Sequence, residues 1–135
     1  MEALEAYSQH AAVALVSNFS AGVPLLLELI QKAVASMPDD WSVEVVEAHH
    51  DQKKDAPSGT ALRMVRAVED AGGPTSPPTH SIRSGDTIGE HTVWLAGPGE
   101  RIEIKHVATK RSVFAIGALR WASWLKEQSP GLYTP

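Results

Sequence analysis

The fold is decided by one stretch of sequence, Glu47-Ala48-His49-His50-Asp51-Gln52-Lys53-Lys54-Asp55-Ala56-Pro57-Ser58-Gly59-Thr60-Ala61. Residues 43–46 before it are β-branched apart from one charge, which predicts a strand. After it, Leu62, Val65 and Val68 recur on one face of a helix. The two histidines therefore lie where a strand ends, and Ser58 lies where a helix begins. Proteins with strands and helices in this order usually hold ligands at such positions.

The residues around this helix start are suited to an anion. The first N–H groups of a helix have no intrahelical partner and carry partial positive charge. Pro57 fits the first helical position, which needs no N–H, and Gly59 lets a ligand approach the backbone. Lys53 adds a full charge, and His50 adds a hydrogen-bond donor. These residue types predict a site for a small carboxylate or phosphate. The alternative is a capped helix after a polar loop with two solvated histidines.

Composition limits the class of protein. The chain has 135 residues, of which 43% are hydrophobic, so it can bury the core of one domain. A net charge of −4 does not indicate a nucleic-acid-binding protein, and the sequence has no block of basic residues that would bind a membrane surface. There is no cysteine, no long apolar run and no basic start typical of a signal peptide. We expect a cytoplasmic protein whose partners include neither nucleic acid nor membrane.

The periodicity of the sequence predicts an α+β fold with a four-stranded mixed sheet and helices on one face. Alternation over residues 101–107 indicates a strand with one buried and one polar face. Gly97-Pro98-Gly99 is typical of a hairpin connection between two strands. The predicted helices cover residues 2–10, 20–36 (capped by Ser20), 58–71 and 112–127, and the predicted strands cover 11–16, 42–48, 79–86, 90–96 and 100–108.

Five motifs, in order between about residue 12 and Tyr133, resemble those of the dihydrodipicolinate reductase family. The stretch from Glu47 to Ala61 is similar to the family signature, and the other four are residues 17–23, 83–93, 99–106 and 111–120. The resemblance implies reduction of a small cyclic dicarboxylate, 4-hydroxy-tetrahydrodipicolinate, to tetrahydrodipicolinate. The reductant would be NADH or NADPH, and the pathway would be lysine and diaminopimelate biosynthesis.

The resemblance also implies roles for individual residues. His49 matches the family's general acid/base, and Lys53 matches its proposed proton donor. The predicted substrate-binding residues are His50, Ser58, Gly59 and Thr60, and the predicted contacts to the nicotinamide are Val16, Ser17, Asn18 and Phe19. Residue types alone indicate one titratable pair and one anion site, and they do not say which histidine does what. For Asn18 the alternative is that it caps or turns the chain.

The domain organisation expected from the resemblance is incomplete. The family begins with a dinucleotide-binding domain whose first turn is rich in glycine, and these 135 residues contain no such fingerprint. We interpret residues 1–17 as the last helix and strand of that domain, and residues 18–135 as the substrate-binding and oligomerisation domain. The strand at 11–16 would then lack its sheet, and we expect it to be disordered or paired between chains. Alone, the chain is expected to be inactive.

The resemblance further implies a homotetramer formed through the sheet. Val93, Leu95, Ile102 and Ile104, together with residues 43–46, are predicted to supply more apolar surface than one face of the sheet needs. The other face would then be buried in the assembly. The alternative is a monomer in which these residues pack under the N-terminal helix.

The histidines and the His–Lys pair are also compatible with other classes of function. Five histidines between residues 49 and 106 could suggest zinc, but His49 and His50 are adjacent and no His-x-x-x-His spacing exists, so we expect no metal. His91 and His106 are interpreted as structural. Two alternatives to the reductase remain: a standalone, non-catalytic module that binds a dicarboxylate or assembles, and a small hydrolase or lyase that uses the His–Lys pair.

Overall fold

The structure, a computed structural model, describes residues 1–134. Its elements are α1 (Glu2–Ser8), β1 (Ala12–Ala14), α2 (Gly22–Ala35), β2 (Ser42–His49), α3 (Gly59–Asp70), β3 (Thr79–Arg83), β4 (Glu90–Gly97), β5 (Glu100–Val107), α4 (Ser112–Leu125) and β6 (Gly131–Tyr133). Every predicted element is present with ends that differ by a few residues, and β6 is an addition that the sequence did not predict. None of the helices among these residues is long and apolar enough to cross a membrane.

The chain divides into two compact units, and the candidate site belongs to only one of them. The first unit combines Met1–Ala21 with the chain from Arg111 onward, and the second is Gly22–Lys110. In the first unit β1 pairs in parallel with β6, and the N–H of Leu15 donates to the carbonyl of Tyr133 at 2.9 Å. β1 is therefore an ordered strand that pairs within its own chain, whereas the sequence predicted disorder or pairing between chains. The origin of residues 1–17 in a nucleotide-binding domain stays a prediction.

The second unit is built on a four-stranded sheet in the order β3-β2-β4-β5. β2 and β3 are parallel and are joined through α3, as parallel strands require a crossover connection. β2 and β4 are antiparallel, and so are β4 and β5. The hairpin between β4 and β5 turns at Pro98 and Gly99, and Gly99 has a φ of +79°, which favours glycine. The predicted four-stranded mixed sheet is confirmed.

Helices α2 and α3 cover one face of this sheet and form the core with it. The buried cluster joins residues of both helices to the strands: Leu26, Ile30, Val34, Val43, Val45, Ala61, Met64, Ala67, Val68, Val93 and Leu95. Val43 and Val45 point the same way because side chains on a strand alternate between faces. Val93 and Leu95 lie directly opposite them in the register.

This arrangement corrects one argument made from the sequence. Val93 and Leu95 are fully buried in the core, and Ile104 packs against the same core. They cannot supply surplus apolar surface to the opposite face, because residues on one strand that are two apart share a face. Ile102 pairs with Leu95 and therefore lies on the same face of the sheet as the core residues, where it is 50% exposed.

The face of the sheet away from α2 and α3 is largely polar and carries ion pairs. Glu44 Oε2 lies 2.9 Å from His80 Nε2, and Lys105 Nζ forms an ion pair with Glu90 Oε2 at 2.6 Å. Arg101 pairs with Glu103 and also lies 4.3 Å from the centroid of a Trp94 ring. This face therefore combines charge with an indole surface.

Candidate active site

Glu47 is the centre of the candidate site, and its position follows from the alternation of β2. It continues the inward series of Val43 and Val45, and its side chain is 0% exposed. Two nitrogens of Arg83 donate to its two oxygens at 2.9 and 2.8 Å. The backbone N–H of Ser58 donates to it at 3.2 Å, and His49 Nδ1 lies 2.5 Å from Oε2. A buried charge needs such partners, and Glu47 has them on both oxygens.

These contacts decide the charge state of Glu47. Burial alone would raise the pKa of this carboxyl, but hydrogen bonds from Arg83, Ser81 and His49 outweigh it and lower the pKa to about 2. Glu47 is therefore ionised at neutral pH. The negative charge is placed against the guanidinium of Arg83, and the hydrogen bond to Glu47 raises the pKa of that guanidinium.

Arg83 reaches the site from another strand and binds the loop as well. It is the last residue of β3 and pairs with His49 in the parallel register of β2 and β3. Its Nε donates to the carbonyl of Lys53 at 3.3 Å, and its Nη2 donates to the carbonyl of Asp55 at 2.6 Å. One guanidinium thus connects Glu47 to the loop that carries Lys53.

His49 is held between Glu47 and the rings of the neighbouring strand. Its side chain is 12% exposed, and its ring meets that of His91 edge-on with centroids 5.0 Å apart. A Cβ placed on Gly89 would lie 3.3 Å from His49 Nε2 and 3.7 Å from His91 Cε1. The absence of a side chain at Gly89 therefore leaves room beside Nε2.

His91 extends the site into the core. It lies opposite Glu47 in one pair of strands and opposite His106 in the next, and is 3% exposed. Its Nε2 is 3.3 Å from Ser58 Oγ, whereas its Nδ1 has no hydrogen-bond partner among residues 1–134. Burial, followed by the charges of His49 and His106, lowers the pKa of His91 to about 4. Burial also lowers the pKa of His106. At neutral pH His91 is a neutral ring.

The start of α3 differs in one detail from the start expected from the sequence. Ser58 Oγ accepts from the N–H of Ala61 at 3.2 Å, so Ser58 is the N-cap and Gly59 is the first helical residue. Pro57 therefore precedes the cap and does not occupy the first helical position. Ser58 is favoured as the N-cap because its side chain can satisfy a first-turn N–H, which a proline ring cannot do.

The structure brings several predicted site residues together in the second unit. Lys53 Nζ donates to Asp55 Oδ1 at 2.8 Å, so the full charge that the sequence places at the anion site is paired within the loop. His50 lies beside it, and its carbonyl accepts from the N–H of Lys53 at 3.1 Å. Thr60 is buried in the first turn of α3, while a Cβ on Gly59 would meet nothing within 4 Å. The helix start thus keeps open space at Gly59.

The predicted cofactor contacts lie in the other compact unit. Val16, Ser17, Asn18 and Phe19 form the connection between β1 and α2. Asn18 Oδ1 accepts from the N–H of Ser20 at 2.9 Å, so it turns the chain as the alternative reading held. The carbonyl of Phe19 lies where a Cβ of Gly117 would be, at 1.7 Å from that position, so α4 packs closely against this segment. Contact with a nicotinamide stays a prediction.

Three residues of the site, Glu47, Arg83 and Gly89, were not assigned a role from the sequence, and His91 was interpreted as structural. A signal for Glu47 was present, because Val43, Val45 and Glu47 share one phase of a period-two pattern. A charge in the buried phase requires a partner of opposite sign. The other three depend on strand pairing between distant segments, which the local pattern does not specify. In the described part of the chain, no group of three or more His, Cys, Asp or Glu side chains is arranged to hold a metal ion.

Fold and site together define an α+β domain with one buried carboxylate, Glu47. Around it lie His49, the loop that carries Lys53, and the start of α3. Residues 22–135 match the family described as "Dihydrodipicolinate reductase, C-terminus". The chain belongs to this family.

Individual relatives agree with the family match. The chain is 43% identical over 150 residues to a 4-hydroxy-tetrahydrodipicolinate reductase of Ruegeria pomeroyi, covering 97% of this chain and 56% of that protein. It is 46% identical over 132 residues to a protein of the same name from Stenotrophomonas maltophilia, covering 98% and 54%. The chain therefore spans about half the length of the curated relatives it matches.

A solved structure resembles the fold. It is titled "Dipicolinate bound Dihydrodipicolinate reductase from Paenisporosarcina sp. TG-14" and superposes with a TM-score of 0.71 at 24% identity. The match covers 97% of this chain and 55% of that one. At this identity the likeness concerns the architecture, which agrees with the α+β fold described above.

Proposed function

We propose that this chain provides the substrate-binding and assembly part of a cytoplasmic 4-hydroxy-tetrahydrodipicolinate reductase of lysine and diaminopimelate biosynthesis. The observation that carries the proposal is the cluster of His49, Lys53 and the start of α3 around one buried carboxylate, in a chain that belongs to the reductase family. The complete reaction would convert 4-hydroxy-tetrahydrodipicolinate to tetrahydrodipicolinate.

The start of α3 is the proposed binding site for a cyclic dicarboxylate. Ser58 caps the helix, and Gly59 leaves space in which a carboxylate can meet first-turn N–H groups. His50 and Lys53 supply hydrogen-bond donors from the preceding loop, and Thr60 lies in the same turn. To bind a carboxylate, Lys53 exchanges its contact with Asp55 for one with the ligand, which costs little at an exposed pair.

The proposed chemistry divides between this chain and the cofactor. NADH or NADPH would supply the hydride, with its nicotinamide end next to Val16, Ser17, Asn18 and Phe19. The hydroxyl group of the substrate would leave as water, which gives a conjugated ring. Addition of hydride to one carbon of that ring leaves charge that a proton on the neighbouring carbon neutralises. His49 and Lys53 are the proposed groups that hold and deliver that proton. No glycine-rich fingerprint for a dinucleotide occurs in the 135 residues, so we propose that this chain alone does not turn over substrate.

Calorimetric titration with pyridine-2,6-dicarboxylate tests the binding site. We expect the chain to bind this planar dicarboxylate weakly and the Lys53→Ala variant to lose most of the affinity. Lys54→Ala is the matched control, because Lys54 is the exposed neighbour on the same loop. Equal binding to the Lys53→Ala variant and to the wild type would contradict the proposal.

A fusion tests the catalytic assignment. The chain is joined to the nucleotide-binding half of a family member, and its turnover is compared with that of the chain alone. We expect activity only in the fusion, and we expect His49→Gln to lower kcat far more than substrate affinity. Turnover by the chain alone would show that part of the proposal to be wrong, and a fusion that binds dicarboxylate without turnover would favour a non-catalytic binding module.

The proposal includes a homotetramer assembled through the sheet face opposite α2 and α3. That face carries half-buried Val46, Ala48 and Trp94 together with exposed Ile82, which helices of the same unit do not cover. Its ion pairs would lie within or around the contact between copies. Light scattering decides the point, because a mass near 14.5 kDa would exclude the tetramer and about four times that mass would support it.

A further inference from the structure

We propose that Glu47 and Arg83 act together as positioning residues for the proton-transferring groups of this site. Glu47 fixes which nitrogen of His49 carries the proton, and Arg83 ties the loop of Lys53 to the same carboxylate. The inference rests on the proposed function and deepens it, because it adds two residues that do not touch the substrate themselves.

The contact between Glu47 and His49 assigns the ring nitrogens. Glu47 is ionised and can only accept, so His49 Nδ1, which is 2.5 Å from its Oε2, must donate. A neutral His49 then carries its proton on Nδ1 and presents an unprotonated Nε2. Nε2 is also the atom beside Gly89, where no side chain fills the space. The carboxylate therefore leaves Nε2 as the nitrogen that exchanges protons with a substrate.

The contacts of Arg83 explain how His49 and Lys53 keep their relative positions. The guanidinium uses two nitrogens on Glu47 and donates to the backbone carbonyls of Lys53 and Asp55. These are backbone contacts, so Arg83 fixes the path of the loop while the Lys53 side chain stays able to leave Asp55. A lysine at position 83 could not make this set, because an ammonium lacks the planar fork of a guanidinium.

The same strand offers a natural comparison. Glu44 also contacts an imidazole, with Oε2 at 2.9 Å from His80 Nε2, but both side chains are about half exposed, and within residues 1–134 no arginine hydrogen-bonds to this pair. An exposed pair of this kind contributes little to orientation because water competes for both partners. Glu44 therefore supplies a matched control for every substitution of Glu47.

Long-range 1H–15N NMR of the histidine rings tests the assignment in the wild-type chain itself. At a pH where the rings are neutral, we expect His49 to show a protonated Nδ1 and an unprotonated Nε2. The opposite pattern, with the proton on Nε2, would overturn the proposal without any substitution. The measurement needs neither substrate nor cofactor, so its failure is distinguishable from failure of the proposed function.

Glu47→Gln tests the cause of that pattern. A glutamine side chain can donate as well as accept, so we expect a large fraction of neutral His49 to move its proton to Nε2. Glu44→Gln should leave the His49 signals unchanged and alter only those of His80. An unchanged His49 tautomer in a folded Glu47→Gln variant would show that Glu47 does not set it.

Arg83→Lys tests the second half of the proposal. We expect amide hydrogen exchange of residues 53–55 to rise several-fold while exchange within α3 stays unchanged. Arg101→Lys is the control, because that guanidinium pairs with Glu103 on the exposed face of the sheet. Loop exchange in Arg83→Lys equal to that in the control would overturn the coupling of the loop to Glu47.

Discussion

Glu44 and Glu47 lie three residues apart on the same strand and each bonds an imidazole, yet they are on opposite faces of the sheet. The side chain of Glu47 is 0% exposed and that of Glu44 is 40% exposed. The two side chains lie on opposite faces because the positions are separated by three residues, an odd number, and side chains on a strand alternate with a period of two. Chemically similar pairs on one strand thus sit in very different surroundings, which makes their energetic contributions separable.

Removing the two carboxylates should have very different effects on stability. Glu47→Ala leaves Arg83, which is 18% exposed, without its carboxylate partner, and we expect a loss of about 3–5 kcal/mol in the free energy of unfolding. Glu44→Ala should cost less than about 1 kcal/mol. Urea denaturation at neutral pH measures both. Similar losses for the two variants would contradict the burial-based argument.

His91 should make the fold sensitive to mild acid. Its folded pKa is lowered from 6.5 to about 4, so below pH 6.5 the unfolded state takes up a proton that the folded state does not. Above about pH 6.5 this group does not reduce the free energy of unfolding. As the pH falls from there to about 4, the free energy of unfolding decreases by on the order of 3 kcal/mol.

Denaturation midpoints between neutral pH and about pH 4 check this prediction, with His91→Gln as the variant that removes the titrating ring. The variant should lose much of the slope in that range. Glu47 affects stability in a lower pH range. Its contribution to the free energy of unfolding is present above its ordinary pKa of 4.5 and is lost only as the pH falls toward about 2. A slope that persists unchanged in His91→Gln would assign the acid sensitivity to other groups.

Asp55 should weaken dicarboxylate binding by competing for Lys53. Its Oδ1 holds Lys53 Nζ at 2.8 Å, and its side chain is 62% exposed. Asp55→Ala removes this anion while keeping the backbone carbonyl that accepts from Arg83. We expect pyridine-2,6-dicarboxylate to bind about two- to fivefold more tightly, the equivalent of an exposed ion pair. Calorimetry that gives weaker binding in Asp55→Ala would indicate that Asp55 orients Lys53 for the ligand.

Two glycines of the site should respond differently to a methyl group. A Cβ on Gly89 would lie 3.3 Å from His49 Nε2, so Gly89→Ala should displace that ring and cost about 1–3 kcal/mol. A Cβ on Gly59 would meet nothing within 4 Å, so Gly59→Ala should fold normally and lower only the affinity for a dicarboxylate. Urea denaturation and calorimetry on both variants separate the two effects. Equal stability of the two variants would mean that His49 moves aside without cost.

The sequence predicted the elements of the second unit because each has a local signal. The valines of β2 and the face shared by Leu62, Val65 and Val68 specify a strand followed by a helix whatever the rest of the chain does. The hairpin between β4 and β5 was equally local, since Gly99 adopts a positive φ. These features needed no knowledge of which strand pairs with which.

The partners of Glu47 could not be read from local signals. Arg83 enters the site because β3 runs parallel to β2 in a register that places it beside His49, and His91 enters through the antiparallel register of β4. A shift of either register by one residue would turn those side chains to the other face. The covered face of the sheet was misjudged for the same reason, since the phase of β4 relative to β2 decides where Val93 and Leu95 point.

The pairing of β1 with β6 has a consequence for the order of events during synthesis. β1 leaves the ribosome before residues 22–110 and β6 leaves it after them, so β1 stays unpaired while those residues are being made. Residues 22–110 are contiguous and have their own core, so they can fold while the chain is still being made. The short apolar run of β1 is thus accessible to a nascent-chain chaperone throughout that interval.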